Sequence, residues 1–205
     1  MKRHLRLFLI LIMLFVCVAG VSASFGFRPY VSGSYGVNLC HPTADYLGKY
    51  PGVESVETPF FRTSTAFSLD AQLLEGVFSV GSRGSFSFGF GASYINVSQS
   101  KPWGRSVLKP YTGLGATFDI AYHFSSRFEL AVKYRWLFCA FTGSSQRFIA
   151  HDIELAPAYT VVAPWAFDLA VTLPVTVSIK ADAVSFRAGI GVMLAFDSRR
   201  TGGKQ

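Results

Sequence analysis

The sequence predicts an all-β fold: an eight-stranded antiparallel transmembrane β-barrel with its apolar side turned to lipid. Three observations carry this. Large apolar residues alternate with small or polar ones over long runs, eight such runs can be traced, and the connections between them alternate between short and long. In "FDLAVTLPVTVSIKAD" (167–182), Phe167, Leu169, Val171, Leu173, Val175, Val177 and Ile179 share one parity. Asp168, Ala170, Thr172, Pro174, Thr176, Ser178 and Lys180 share the other. A period of two puts the two sets on opposite faces of a strand, and the run is far longer than the roughly five or six residues of an ordinary strand.

Composition agrees with a membrane or exported β protein. Of 205 residues, 50% are hydrophobic and only 15% charged, with 20 Phe, 9 Tyr and 19 Gly. At the N-terminus Lys2, Arg3 and Arg6 precede an apolar run from Leu7 to Val18, and Val21, Ser22 and Ala23 follow. This is the layout of a signal peptide, residues 1–23, cleaved after Ala23. The run is short for a permanent helical anchor, and Val16 is bulky for the position before a lipidated Cys17. Without the leader, 16 Lys and Arg face 12 Asp and Glu, a balance that gives little reason to expect nucleic acid. No later apolar run approaches the roughly 20 residues of a spanning helix, so any passage through a membrane must use strands. The remainder reads as one domain, 24–196, followed by a loose tail, 197–205.

The first strand, "RPYVSGSYGVNL", sets Val31, Tyr35, Val37 and Leu39 against Arg28, Tyr30, Ser32 and Asn38. The second, "TAFSLDAQLLEG", alternates up to Leu73 and then slips at Leu74 and Glu75, where a bulge is expected. The third, "SFSFGFGASY", opposes Phe86, Phe88, Phe90 and Tyr94 to serines and glycines. The fourth puts Leu114, Phe118, Ile120 and Tyr122 outward, and the fifth, "RFELAVKYRWLF", does so with Phe128, Leu130, Val132, Tyr134, Trp136 and Phe138. The sixth contributes Ile153, Leu155, Pro157 and Tyr159, the seventh is the run quoted above, and the eighth is "SFRAGIGVMLAF". Turns around 81–84, 125–127 and 163–165 are short, whereas 40–62, 96–110 and 140–147 are on average longer and more polar. One rim therefore carries tight turns and both chain ends, and the other carries loops.

A soluble barrel would point its polar parity at water, and such a surface carries more Lys and Glu than this one. An apolar face turned to lipid needs strands of about 9 to 11 residues and closure without edges, which the long runs and the even count satisfy. The leader, the eight strands, the alternating connections and the closing "FRAGIGVMLAF" resemble the small eight-stranded bacterial outer-membrane barrels of the OmpW type or the OmpX/OmpA-transmembrane type. The resemblance implies short periplasmic turns, longer extracellular loops, and a monomer embedded as a multi-pass protein in outer-membrane lipid. It also implies delivery by the outer-membrane assembly machinery through a closing aromatic. Phe196 would fill that role, although nine residues follow it.

The polar parity sends Arg28, Asp70, Asp119, His123, Glu129, Lys133, Arg135, Asp152, Glu154, Asp168, Lys180 and Arg187 into the lumen. An eight-stranded barrel is just wide enough for side chains to fill, so these groups form either a structural network or the lining of a narrow porin-like path for small solutes. The resemblance adds passage of small or apolar compounds, and Leu137, an apolar residue on the polar parity near the loop rim, fits an apolar inner site. The other functional class lies in the loops. Tyr46, Tyr50 and Phe60 stand in the longest, 40–62, and Lys101, Arg105 and Lys109 in the second. On a rigid scaffold these can bind a host or surface ligand and serve attachment or envelope integrity.

An enzyme, for which the resemblance offers only lipid-modifying acylases, would need His151 with Asp152, Ser144 or Ser145, and adjacent strand residues face opposite ways. The sequence predicts no enzyme, no cofactor and no metal centre, because His41, His123 and His151 are scattered and no CxxC or HExxH spacing exists. An exported protein can join Cys40 to Cys139, but these end strands on opposite sides of the ring. Order along the strands makes Trp103, Tyr111 and Trp136 girdle residues at the loop rim, and Trp165, Tyr122 and Phe167 at the turn rim.

Overall fold

The computed structural model describes residues 25–42, 62–80, 84–98, 110–143, 145–180 and 183–198. It is all-β. In chain order the strands are β1 (Phe25–Phe27), β2 (Tyr30–Pro42), β3 (Arg62–Val80), β4 (Gly84–Ser98), β5 (Tyr111–His123) and β6 (Phe128–Phe141). They continue with β7 (Arg147–Val162), β8 (Phe167–Thr172), β9 (Val175–Lys180) and β10 (Ala183–Phe196). Burial alternates residue by residue along β6 and β7, as the period-two pattern requires.

Every ladder is antiparallel. β2 pairs with β3, β3 with β4, and so on to β7, which meets both β8 and β9. β10 pairs with β8 and β9 on one side and with β2 on the other, from Ala183 opposite Pro42 to Ala195 opposite Tyr30. The first and last long strands are thus neighbours, and each long strand has a partner on both sides.

The described residues form ten strands where the alternation predicts eight, for two local reasons. β1 is a short piece ahead of Arg28 that extends the ladder along β3, Phe25 facing Phe78. The run 167–180 is divided at Leu173 and Pro174 into β8 and β9. Its register passes through the break unchanged: Thr172 and Val175 face Ala158 and Leu155 on β7, and Gly191 and Ala188 on β10. No bulge absorbs the proline. Gly189 N–H donates to the Pro174 carbonyl at 3.1 Å and Leu173 N–H to the Pro157 carbonyl at 3.0 Å, but proline has no N–H to return to Gly189. Pro174→Ala restores that donor, and the expected result is a gain of about 1 kcal/mol in unfolding free energy of the detergent-refolded chain. A urea midpoint that falls would show that the packing of the buried proline ring outweighs the missing bond.

A bulge does form in β3, where the sequence slips. The register against β4 shifts between Gln72 and Leu74. Leu73 and Leu74 consequently both face outward, and Glu75 turns in at 1% exposure.

The exposed face is a continuous apolar surface that includes Tyr35, Val37, Phe90, Phe118, Ile120, Phe138, Ile153, Leu169, Ile190 and Val192. A soluble monomer rarely exposes more than a few hundred Å² of contiguous apolar surface. Among the described residues no helix is long and apolar enough to cross a membrane. At the turn between β7 and β8, Trp165 stands 94% exposed in a left-handed conformation, φ 57°, and Phe167 N–H closes the turn on the Pro164 carbonyl at 3.0 Å.

Candidate functional site

The buried face of the sheet holds the charge. All twelve ionisable residues that the alternation assigns to the polar parity are buried. Some partners are neighbours in one ladder, such as His123 and Glu129, but others lie on strands that share none, such as Arg135 with Asp70 and Tyr30 with Asp119, so the sheet curves far enough for its buried face to meet itself.

At the turn end, the Arg28 guanidinium lies between three strands. Its Nη2 is 2.8 Å from Glu129 Oε2 and 4.0 Å from Asp168 Oδ2, and its Nη1 is 3.5 Å from Glu75 Oε1. His123 is held between Glu129, with Nδ1 3.1 Å from Oε2, and Ser87, with Nε2 3.1 Å from Oγ. The chain end packs here as well. Asp197 is 3% exposed and its N–H donates to the Ala166 carbonyl at 2.7 Å, while Ser198 Oγ accepts from Phe27 N–H at 2.8 Å. The first two residues after Phe196 are therefore fastened across the turn end.

The middle layer is centred on Asp70. Arg135 grips it with two bonds, Nε to Oδ1 at 2.8 Å and Nη2 to Oδ2 at 2.7 Å, and Lys133 and Ser93 add donors at 3.2 and 2.6 Å. Arg135 Nη2 also reaches Glu154 at 2.7 Å, and Thr176 Oγ1 donates to Glu154 at 3.0 Å. Tyr30 O–H donates to Asp119 at 2.5 Å from across the interior, with Lys133 Nζ 5.1 Å from the centre of the same ring. A planar guanidinium suits such two-oxygen recognition because its donors are fixed in a fork.

Toward the loop end Arg187 pairs with Asp152, and Asn38 Nδ2 donates to Ser64 Oγ at 3.0 Å. Above them the buried face becomes apolar: Ile95, Val97, Tyr111, Leu137, Cys139, Phe141 and Ala150 form one cluster, with Phe148 packed against it. Tyr111, expected in the lipid girdle, is 4% exposed inside, where Lys180 Nζ sits 4.3 Å from its ring centre. That cation–π contact, together with Phe141 and Phe148, completes its surroundings there. Leu137 is fully buried in the cluster. Here the sequence signal was legible but short: in β4 and β6 the polar parity turns apolar over its last two or three positions.

Two of the voids bordering the charged part of this face are small. One of about 20 Å³ lies beside Ser34, Ser68, Pro174, Thr176 and Arg187, and one of about 10 Å³ beside Arg28, Tyr30, Glu75, Asp119 and Glu129. A single water needs roughly 10–15 Å³ measured this way, so each holds about one. Two inward residues were missed by the alternation. Glu75 is turned in by the bulge, and Asp197 belongs to the segment read as tail.

His151 is on the exposed face, its Nδ1 2.7 Å from the Tyr134 hydroxyl, while Asp152 is buried with Arg187. The two do not act together, and Ser145 is exposed. Among the described residues no group of three or more His, Cys, Asp or Glu could hold a metal ion. Cys139 carries a free thiol; the side chain of Cys40, its partner in the disulfide that the sequence allows, lies outside the described residues, as do Ser144, Trp103, Tyr46, Tyr50, Phe60, Lys101, Arg105 and Lys109.

No family model matches the chain, and no curated protein matches it. Among solved structures it is similar to Ail, the attachment invasion locus protein of Yersinia pestis, at 11% identity over 83% of this chain and 99% of that one, TM-score 0.41. It is also similar to Neisserial surface protein A, at 11% identity over 84% and 97%, TM-score 0.45. The TodX deltaS2S3 mutant monoaromatic hydrocarbon channel matches at 8% identity over 88% and 91%, TM-score 0.19.

Proposed function

We propose that the chain is an eight-stranded outer-membrane barrel, with 167–180 crossing as one strand despite its broken ladder, and that its interior is plugged. Short turns face the periplasm, and the loops face outward. The protein serves as a monomeric scaffold that presents those loops, chiefly 40–62, for attachment or envelope integrity. The observation that carries this reading is the ion-pair network from Arg28 to Arg187, with two voids beside it the size of single waters. A narrow channel needs a continuous hydrated path, and along this face paired side chains stand in its place.

The proposal is tested on the detergent-refolded mature chain. Heat-modifiable migration in gels should separate folded from unfolded forms, and planar bilayers containing the folded form should stay electrically silent across salt and pH. Sustained single-channel current would overturn the plugged reading. Deleting residues 43–61 should leave refolding unchanged and abolish binding to a host or matrix ligand; binding that survives the deletion excludes this loop as the presenting element.

A further inference from the structure

The charges on the buried face do not balance. Among the described residues it holds eight Asp and Glu against five Lys and Arg. The excess is concentrated at the turn end. Glu75, Glu129, Asp168 and Asp197 gather there around Arg28 and His123, and Asp119 lies just above them with Lys133 opposite it across the β5–β6 ladder, whereas the three acids nearer the loops share Lys133, Arg135, Lys180 and Arg187. Negative charge in an interior surrounded by lipid requires a compensating positive charge.

Two of these acids are placed to take it. Glu75 faces Gly89 across the β3–β4 ladder, and Gly89 faces Asp119 across β4–β5. The two carboxyl groups therefore flank one glycine, and Asp119 leans over it: a Cβ added at position 89 would lie 2.0 Å from Asp119 Oδ1. Asp119 Oδ1 and Glu75 Oε2 are both buried without a hydrogen-bond partner. Both residues line the void of about 10 Å³. That space suits at most one water and no hydrated ion, and no third acid, histidine or cysteine joins them in a ligand set.

We infer that Glu75 and Asp119 form a proton-binding site, which takes up one proton as the barrel folds and so supplies one of the missing positive charges. The charged and titratable groups around the pair are Arg28 ahead of β2, Tyr30 on β2, Asp70 on β3 and His123 on β5. β6 adds Glu129 and Lys133, β8 adds Asp168, and Asp197 follows β10. β4 presents only Ser87 and Gly89. Tyr30 O–H holds the second oxygen of Asp119 at 2.5 Å, which leaves Oδ1 as the oxygen directed to the site. The inference rests on a closed interior, but its readout is independent of conductance, so failure of one is distinguishable from failure of the other.

The folded chain then holds a proton that the unfolded chain has released. Between the ordinary carboxylate range and the folded site's own titration, its stability falls as pH rises, by up to tenfold in the folded-to-unfolded ratio per pH unit for one proton, and levels off once the folded site too has released it. The range pH 7–8 is the informative one, because ordinary carboxylates, an ordinary histidine and the cysteine thiols contribute little change there. The experiment combines infrared spectroscopy of the folded full mature chain at neutral pH with urea unfolding across that range. A carboxylic-acid C=O band should be present, should weaken in Glu75→Gln and in Asp119→Asn, and the dependence on pH should flatten in both. The wild-type band is the decisive measurement should either variant fail to fold: its absence overturns the inference. A band that persists in both variants also overturns it. So does a pH dependence that is abolished by adding sodium or potassium chloride in place of choline chloride, since a metal cation would then be the counter-charge.

Discussion

Replacing Arg135 with leucine is expected to cost the folded state about 3–5 kcal/mol, a large part of the stability of a domain this size. The magnitude comes from what remains. Arg135 is 1% exposed and supplies two bonds to Asp70 and one to Glu154, both themselves buried. Removing it leaves two carboxylates in a low-dielectric interior with only Lys133 between them, at 3.2 Å from Asp70 and 3.7 Å from Glu154. Arg135→Lys should recover only part of the loss, because an ammonium cannot reproduce the two-pronged contact. The triple replacement Asp70→Asn, Arg135→Gln and Glu154→Gln should be milder than Arg135→Leu alone. Urea unfolding of the refolded proteins measures all three, and an Arg135→Leu chain as stable as wild type would refute the network as a structural element.

The second large effect is expected at Gly115. A Cβ there would lie 1.8 Å from the Trp136 carbonyl oxygen on the neighbouring strand. The obstacle is backbone, so relief requires β5 and β6 to separate and lose ladder bonds around Gly115 and Leu137. Gly115→Ala should destabilise the fold by about 3 kcal/mol, the upper part of the usual overpacking range. Gly33→Ala is the control: the nearest atom to its Cβ would be Leu69 Cδ1 at 3.8 Å, an ordinary contact. Equal midpoints for the two variants would show that β5 and β6 have room the structure does not display.

Much of this architecture can be read from the alternation because each strand reports its own two faces. Asp70, Asp119, Lys133, Arg135, Asp152 and Glu154 all face inward as their parity requires. The bulge near Leu74 was visible as a slip in the pattern, but its consequence for Glu75 was not, since a single inserted residue reverses every later parity in the strand. Tyr111 illustrates a different limit. Its odd position already put it on the inward parity of β5, against the girdle assignment made from its place at a strand end, and Lys180, Phe141 and Phe148 complete its surroundings there. Pro174 shows a third: the missing donor is evident in the sequence, whereas the choice between a bulge and an unreturned bond depended on ladders with β7 and β10.

By itself, then, the sequence determined the strands, their long apolar faces and the set of charges on the opposite side, because period-two patterning is a local property of the chain. The tertiary structure decided which charges meet. Arg135 and Asp70 are 65 residues apart, and Tyr30 and Asp119 are 89 apart. No spacing rule links such residues. Their pairing follows from strand order, register and the curvature that brings the buried face of the sheet against itself, and that pairing is what fills the interior.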